Sequence, residues 1–324
     1  MGNARPLDAT DASCGRDPLV EAITMFLARD HVSNLGRIRQ HLERTIDDAG
    51  PDALAALSAR LASRADAWDY YPRDPLARRI HYALAEPVLQ HQPLVRGAEH
   101  LAMAANRPVV ILPNHLSYAD ANVLDVVLQQ SGAGALADRL TVIAGPKVYT
   151  NLRRRFSSLC FGTVKVPQSA GRSSGEAVMT TREVAHAARR ALQVADERLR
   201  AGEALLVFGE GNRSRSGQLQ RLLPGVARYF ESAGVWLLPV GLTGTEKLFP
   251  IEGDALHSVR LTIEFGRPVL ASAVLTHAAH DRRLAMDIAG VSIARLLPDD
   301  YRGAYADGNP DLDRARTIAD ELWY

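Results

Sequence analysis

The chain has 324 residues, of which 47% are hydrophobic and 23% charged, enough for one large domain with a buried core and a smaller companion. A formal net charge of +1 excludes a strong basic field, so nucleic acid is not an expected partner. No window reaches the roughly 18 apolar residues of a membrane span and no basic-then-apolar leader opens the chain, so a cytoplasmic protein is expected, one that meets the inner face of the cell membrane only peripherally.

Residues 1–16 are polar and rich in Gly, Asp and Ala, and are expected to be disordered. Asp17-Pro18 and Asp74-Pro75 each read as a helix cap followed by a first-turn proline, and Gly50-Pro51 as a stop and restart. Apolar residues recur at helical spacing through Ala53, Leu54, Leu57 and Leu61, and again through Leu76, Ile80 and Leu84. Residues 17–90 therefore read as a bundle of about four helices, which either caps the core or binds lipid.

Beyond it the texture changes, and residues 91–324 read as an α/β domain. Short β-rich runs (Pro108 to Leu112, Leu140 to Ala144, Thr163 to Val166, Leu205 to Phe208, Trp236 to Val240, Val259 to Phe265) alternate with helical segments. That alternation predicts a mixed, largely parallel sheet flanked by helices. Thr180-Thr181-Arg182-Glu183 forms a capping box for a helix that Gly202 closes, with a strand directly after it. Gln168 to Ala177 is a Ser/Gly-rich loop. Cys14 lies in a polar stretch and Cys160 in an apolar one, so a disulfide between them is not expected.

The most informative stretch runs from Val109 to Asp120: a buried strand, Pro113-Asn114-His115, then Leu116-Ser117-Tyr118-Ala119-Asp120. On one continuous helix His115 and Asp120 would lie about 140° apart at roughly 100° per residue, and would not meet. They meet if the helix starts after His115, which Ser117 as cap would arrange. A carboxylate then holds one ring nitrogen protonated and leaves the other free to take a proton from a hydroxyl. The same spacing also fits a plain capping box, in which Asp120 only satisfies backbone amides.

With the blocks that follow it, this stretch resembles the H-x4-D acyltransferases that act on glycerol-3-phosphate and lysophosphatidate (1-acylglycerol-3-phosphate). Asn114-His115-x-x-x-x-Asp120 is similar to that superfamily's first motif, and Phe208-Gly209-Glu210-Gly211-Asn212-Arg213-Ser214-Arg215 to its F-P-E-G-T-R-S-R block. Leu238-Pro239-Val240-Gly241-Leu242-Thr243-Gly244-Thr245 stands where a later strand block falls. Gly162-Thr163-Val164-Lys165-Val166-Pro167 stands where a second block falls, with Gly145-Pro146-Lys147 ahead of it. The resemblance implies that His115 is the general base and Asp120 its orienting partner. Arg213 and Arg215 would hold an acceptor phosphate, Glu210, Gly211 and Asn212 would shape the turn around it, and Lys147 and Lys165 would join the substrate-binding set. It further implies an O-acyltransferase of phospholipid biosynthesis with acyl-CoA or acyl-ACP as co-substrate, no cofactor and no metal, and acyl carrier protein as a candidate partner. Gly209 and Asn212 replace the usual proline and threonine. The second block lacks its frequent arginine, which leaves room for an acceptor other than a simple glycerophosphate, such as another alcohol or a glycolipid. A different class of protein, a catalytically idle lipid- or acyl-carrier-binding module, is also open.

Gly171-Arg172-Ser173-Ser174-Gly175 fits the nucleophile elbow of serine hydrolases. That elbow needs a strand directly before it and a helix directly after it, and neither is expected here.

Overall fold

A computed structural model describes residues 15–28, 35–63, 67–89, 91–149, 152–167, 179–248, 257 and 259–323. The terminus with Cys14, and the loop over residues 168–177 with its Gly171 to Gly175 motif, lie outside the described residues.

Four helices come first: α1 (Arg16–Ala28), α2 (Leu35–Asp47), α3 (Pro51–Ala62) and α4 (Pro75–Val88), with the short strand β1 (Tyr70–Tyr71) ahead of α4. Their ends follow local chemistry. Gly50 takes φ +83° between α2 and α3, and Pro51 opens α3. Asp74 caps α4 by accepting from the amides of Leu76 and Ala77. At α1 the helix starts at Arg16, so Asp17 sits inside the first turn and is not the cap that Asp17-Pro18 suggested. There it pairs with Arg16, whose guanidinium also reaches Asp47 on α2.

The remainder runs β2 (Leu94–Arg96), α5 (Leu101–Ala104), β3 (Val109–Pro113), α6 (Asp120–Gln130), α7 (Gly134–Ala137), β4 (Leu140–Ala144), α8 (Leu152–Leu159) and β5 (Gly162–Lys165). It continues with α9 (Thr181–Arg200), β6 (Ala204–Leu206), β7 (Trp236–Thr243), α10 (Thr245–Leu248), β8 (Thr262–Phe265), β9 (Val269–Leu270), α11 (Ala271–His277), α12 (Arg282–Ala294) and α13 (Asp313–Trp323). The Thr180 capping box opens α9, with Glu183 reaching back to the cap amide. Gly202 turns the chain at φ +85° just before β6.

The described strands form one nine-stranded sheet in the order β1-β5-β4-β6-β3-β7-β8-β2, with β9 on β7. The five central strands are parallel to one another; β1 pairs antiparallel with β5, β8 and β9 pair antiparallel with β7, and β2 runs parallel to β8. This is the mixed, largely parallel sheet the sequence predicted.

Central strands of such a sheet are covered on both faces, and alternate residues feed two cores. On β3, Val109 and Ile111 enter a core shared with the N-terminal helices (Leu42, Leu57, Ile80), whereas Val110 and Leu112 enter one built with α9, α12 and α13. On β6, Ala204 and Leu206 face the first core and Leu205 the second. The consequence for function is geometric. The carboxyl ends of β4, β6, β3 and β7 lie along one edge of the sheet, where ligand sites of open α/β sheets form.

Candidate active site

The site begins where β3 stops. Asn114, fully buried, turns its side chain onto the neighbouring strand: its amide nitrogen donates to the carbonyl of Leu242 at 2.9 Å and its oxygen accepts from the Leu242 amide at 2.7 Å. This two-way clamp pins the turn to β7. The next residue is held from the other side. The amide of His115 donates to Glu210 Oε1 at 2.6 Å and its carbonyl accepts from the Ser214 amide at 2.8 Å, both from the segment after β6. Gly211 makes that segment possible, because its φ of +73° favours a residue without a side chain.

With the backbone fixed, the imidazole has one bonded nitrogen. His115 Nδ1 lies 2.8 Å from Asp120 Oδ2, and the ring stacks on Phe208 with centroids 3.9 Å apart and planes at 23°. The same Oδ2 accepts from the amides of Leu116 at 2.7 Å and Ser117 at 2.9 Å. Asp120 is fully buried, at the N-terminus of α6, where the helix dipole favours negative charge. A buried carboxylate in that position makes Nδ1 the protonated nitrogen, and Nε2 has no partner among the described residues and can accept a proton.

The helix start differs from the sequence expectation. Ser117 is not the cap of α6; Ala119 is, without a side-chain bond, and the Ser117 hydroxyl accepts from the Ala119 amide. The reason is the aspartate itself. By taking the Leu116 and Ser117 amides it folds that segment into a tight turn, and regular helix begins only at Asp120. The backbone-capping role and the His-partner role, alternatives in the sequence, are carried by one oxygen.

Glu210 is also buried, and burial pushes its carboxyl up to about 8 against the pull of the two amides, Gln220 and His115, that donate to it. Arg213 lies with its guanidinium carbon 3.5 Å from the centre of the Tyr118 ring, and burial holds it below its ordinary pKa. Thus His115, Asp120, Glu210, Gly211 and Arg213 meet at one edge. Arg215 and Asn212 are exposed on the same turn. Lys147 lies in the short helical turn after β4. Lys165 ends β5, two places from β6, with its ammonium over the rings of Trp68 and Tyr149.

Two side chains of this site had no role in the sequence reading. Phe208, inside its motif block, braces the imidazole. Arg154, on α8, lies 4.1 Å from the Tyr118 ring centre; one of three successive arginines, it carries no sequence signal that separates it from its neighbours. Among the described residues no three His, Cys, Asp or Glu side chains group as a metal site would require, and no helix is long and apolar enough to cross a membrane.

The comparisons bear on this edge of the sheet. The family model described as Acyltransferase matches residues 92–243, which span β2 to the end of β7 and contain every residue of the site. No curated protein matches the chain. Among solved structures, the chain is similar to the 1-acyl-sn-glycerophosphate (LPA) acyltransferase PlsC from Thermotoga maritima, at 17% identity and a TM-score of 0.49, over 87% of this chain and 98% of that one. By the family match, residues 92–243 are an acyltransferase-family domain.

Proposed function

We propose that the protein transfers a fatty acyl group from acyl-CoA or acyl-ACP to the hydroxyl of glycerol-3-phosphate or 1-acylglycerol-3-phosphate, with His115 as general base. The observation that carries this reading is the bond from His115 Nδ1 to the buried Asp120, which leaves Nε2 as the proton acceptor. The hydroxyl proton passes to Nε2 as the oxygen attacks the thioester carbonyl carbon. The tetrahedral intermediate then collapses, the carbon–sulfur bond breaks, and the imidazolium returns its proton to the leaving thiolate. Asp120 stabilises the imidazolium between the two steps, as the acid does in other His–Asp pairs. The reaction needs no cofactor and no metal. In this reading Arg213 and Arg215 bind the acceptor's phosphate through forked hydrogen bonds, and the protein works in phospholipid synthesis, meeting its lipid substrates or products peripherally at the membrane.

A second reading, transfer to an uncharged alcohol or a glycolipid, is favoured by Lys165 lying over two aromatic rings where an anion-binding arginine was the expectation. Mass spectrometry of products from a panel of acceptors offered with acyl-CoA and acyl-ACP separates the two. An acylated glycerophosphate is the expected product; acylation of neutral alcohols alone would favour the second reading, and an absence of turnover with every thioester would leave only a binding module.

A further inference from the structure

Arg154 and Arg213 differ from the arginines of this chain that carry ion pairs. Arg78, Arg221, Arg283 and Arg302 all face carboxylates, whereas neither Arg154 nor Arg213 has a carboxylate within ion-pair distance among the described residues. Instead the two approach one aromatic ring, Tyr118, at 4.1 and 3.5 Å from its centre, so their guanidinium carbons are no farther apart than those two distances combined. Each keeps a buried donor with no acceptor: Nε of Arg154 and Nη1 of Arg213. The bond from Arg154 Nη1 to the carbonyl of Lys147 is long, at 3.5 Å. Two like charges held close in a partly desolvated place repel, and leaving buried donors unpaired adds to the cost. A single anion that met both guanidinium groups at the rim of the ring would reverse the sign of both terms.

Position supports the same occupant. Tyr118 lies between His115 and Asp120 in the chain, on the turn that carries the base. Arg213 comes from the segment after β6, and Arg154 from α8, which follows the carboxyl end of β4. An anion on this pair sits beside the atoms that would react. Resting on the acyltransferase reading above, we infer that Arg154 is an acceptor-binding residue that closes a two-arginine clamp with Arg213 on a phosphate monoester, with the Tyr118 ring holding both guanidinium groups in place.

The test measures binding of glycerol 3-phosphate, and of a short-chain 1-acylglycerol 3-phosphate, to the full chain by calorimetry without thioester. Wild type, Arg154→Ala, Arg154→Lys and His115→Ala are compared, with Arg154→Gln as a second variant should the alanine form fail to fold. Losing charge-assisted bonds to a phosphate should weaken binding by roughly tenfold to hundredfold in Arg154→Ala. Arg154→Lys should recover only part, because a point charge lacks the fork. His115→Ala should still bind. In steady-state transfer the acceptor's KM should rise more than kcat falls, and the preference for phosphorylated over uncharged acceptors should shrink. Equal binding by wild type and the Arg154 variants overturns the clamp, and so does a wild type that binds neither ligand. Failure of the acyltransferase reading looks different: the phosphorylated ligands bind in an Arg154-dependent way, yet no thioester is turned over.

Discussion

Glu210 holds together the two segments that build the site, and it does so as a buried acid. One oxygen takes the amide of His115 and the other that of Gln220, while burial raises its carboxyl from 4.5 to about 8. An acid whose pKa is raised on folding binds more protons in the native state than in the unfolded one, so its contribution to stability falls as pH rises between those two values. We expect the melting temperature to drop from pH 5 to pH 8 more steeply in wild type than in Glu210→Gln, which has nothing to titrate there. The substituted side chain would also turn an NH2 group toward one of the two amides and lower stability at pH 5. Thermal melts at the two pH values check this, and parallel profiles would contradict it. Asp120 shows the same economy at this scale, since one oxygen both folds the turn and holds the imidazole. Residue types and spacing made the pair legible in the sequence. The joint role was not, because it depends on where α6 begins, and that is settled by the aspartate's own bonds.

At the scale of elements, the site helix is anchored to the N-terminal helices through a buried charge cluster. Asp125, one turn and a half along α6 from Asp120, is fully buried and bonded to Arg78 of α4 through both oxygens, at 3.1 and 3.2 Å. Arg78 also donates to the carbonyl of Cys160, the hydroxyl of Tyr82 and Asp138, so one guanidinium joins α4, α6 and the segments that follow α7 and α8. Removing Arg78 leaves the buried Asp125 with His81 Nε2, at 3.3 Å, in place of a guanidinium, and breaking a buried pair costs about 3–5 kcal/mol. Arg78→Ala should lose stability of that order in urea denaturation, and a loss under about 1 kcal/mol, the range of exposed pairs, would show that the cluster is not desolvated in solution. Helix ends set by Pro51, Asp74 and Thr180 were readable because caps are local chemistry. The strands β1, β2 and β9 were not, since two or three residues are too few to show alternation.

For the whole molecule, what matters is that pieces far apart in sequence finish along one edge of the sheet. His115 follows β3, Glu210 and Arg213 follow β6, and β4 leads to the helix bearing Arg154; these strands are neighbours in the order β4-β6-β3. Alternating strands and helices predict a sheet of this class, but strand order arises from long-range pairing, so Arg154 carried no signal until β4 and β6 were seen side by side. In the function proposed above, this edge delivers a base to an acceptor hydroxyl. The most direct measurement is the rate of acyl transfer from an acyl thioester by folded wild type, His115→Ala and Asp120→Asn. General-base catalysis is worth about 10²–10⁴-fold, so His115→Ala should lose that much in kcat. Asp120→Asn should keep its fold and still lose most of its turnover, because the imidazole loses its charged partner. A His115→Ala protein that transfers acyl groups at the wild-type rate would contradict the account.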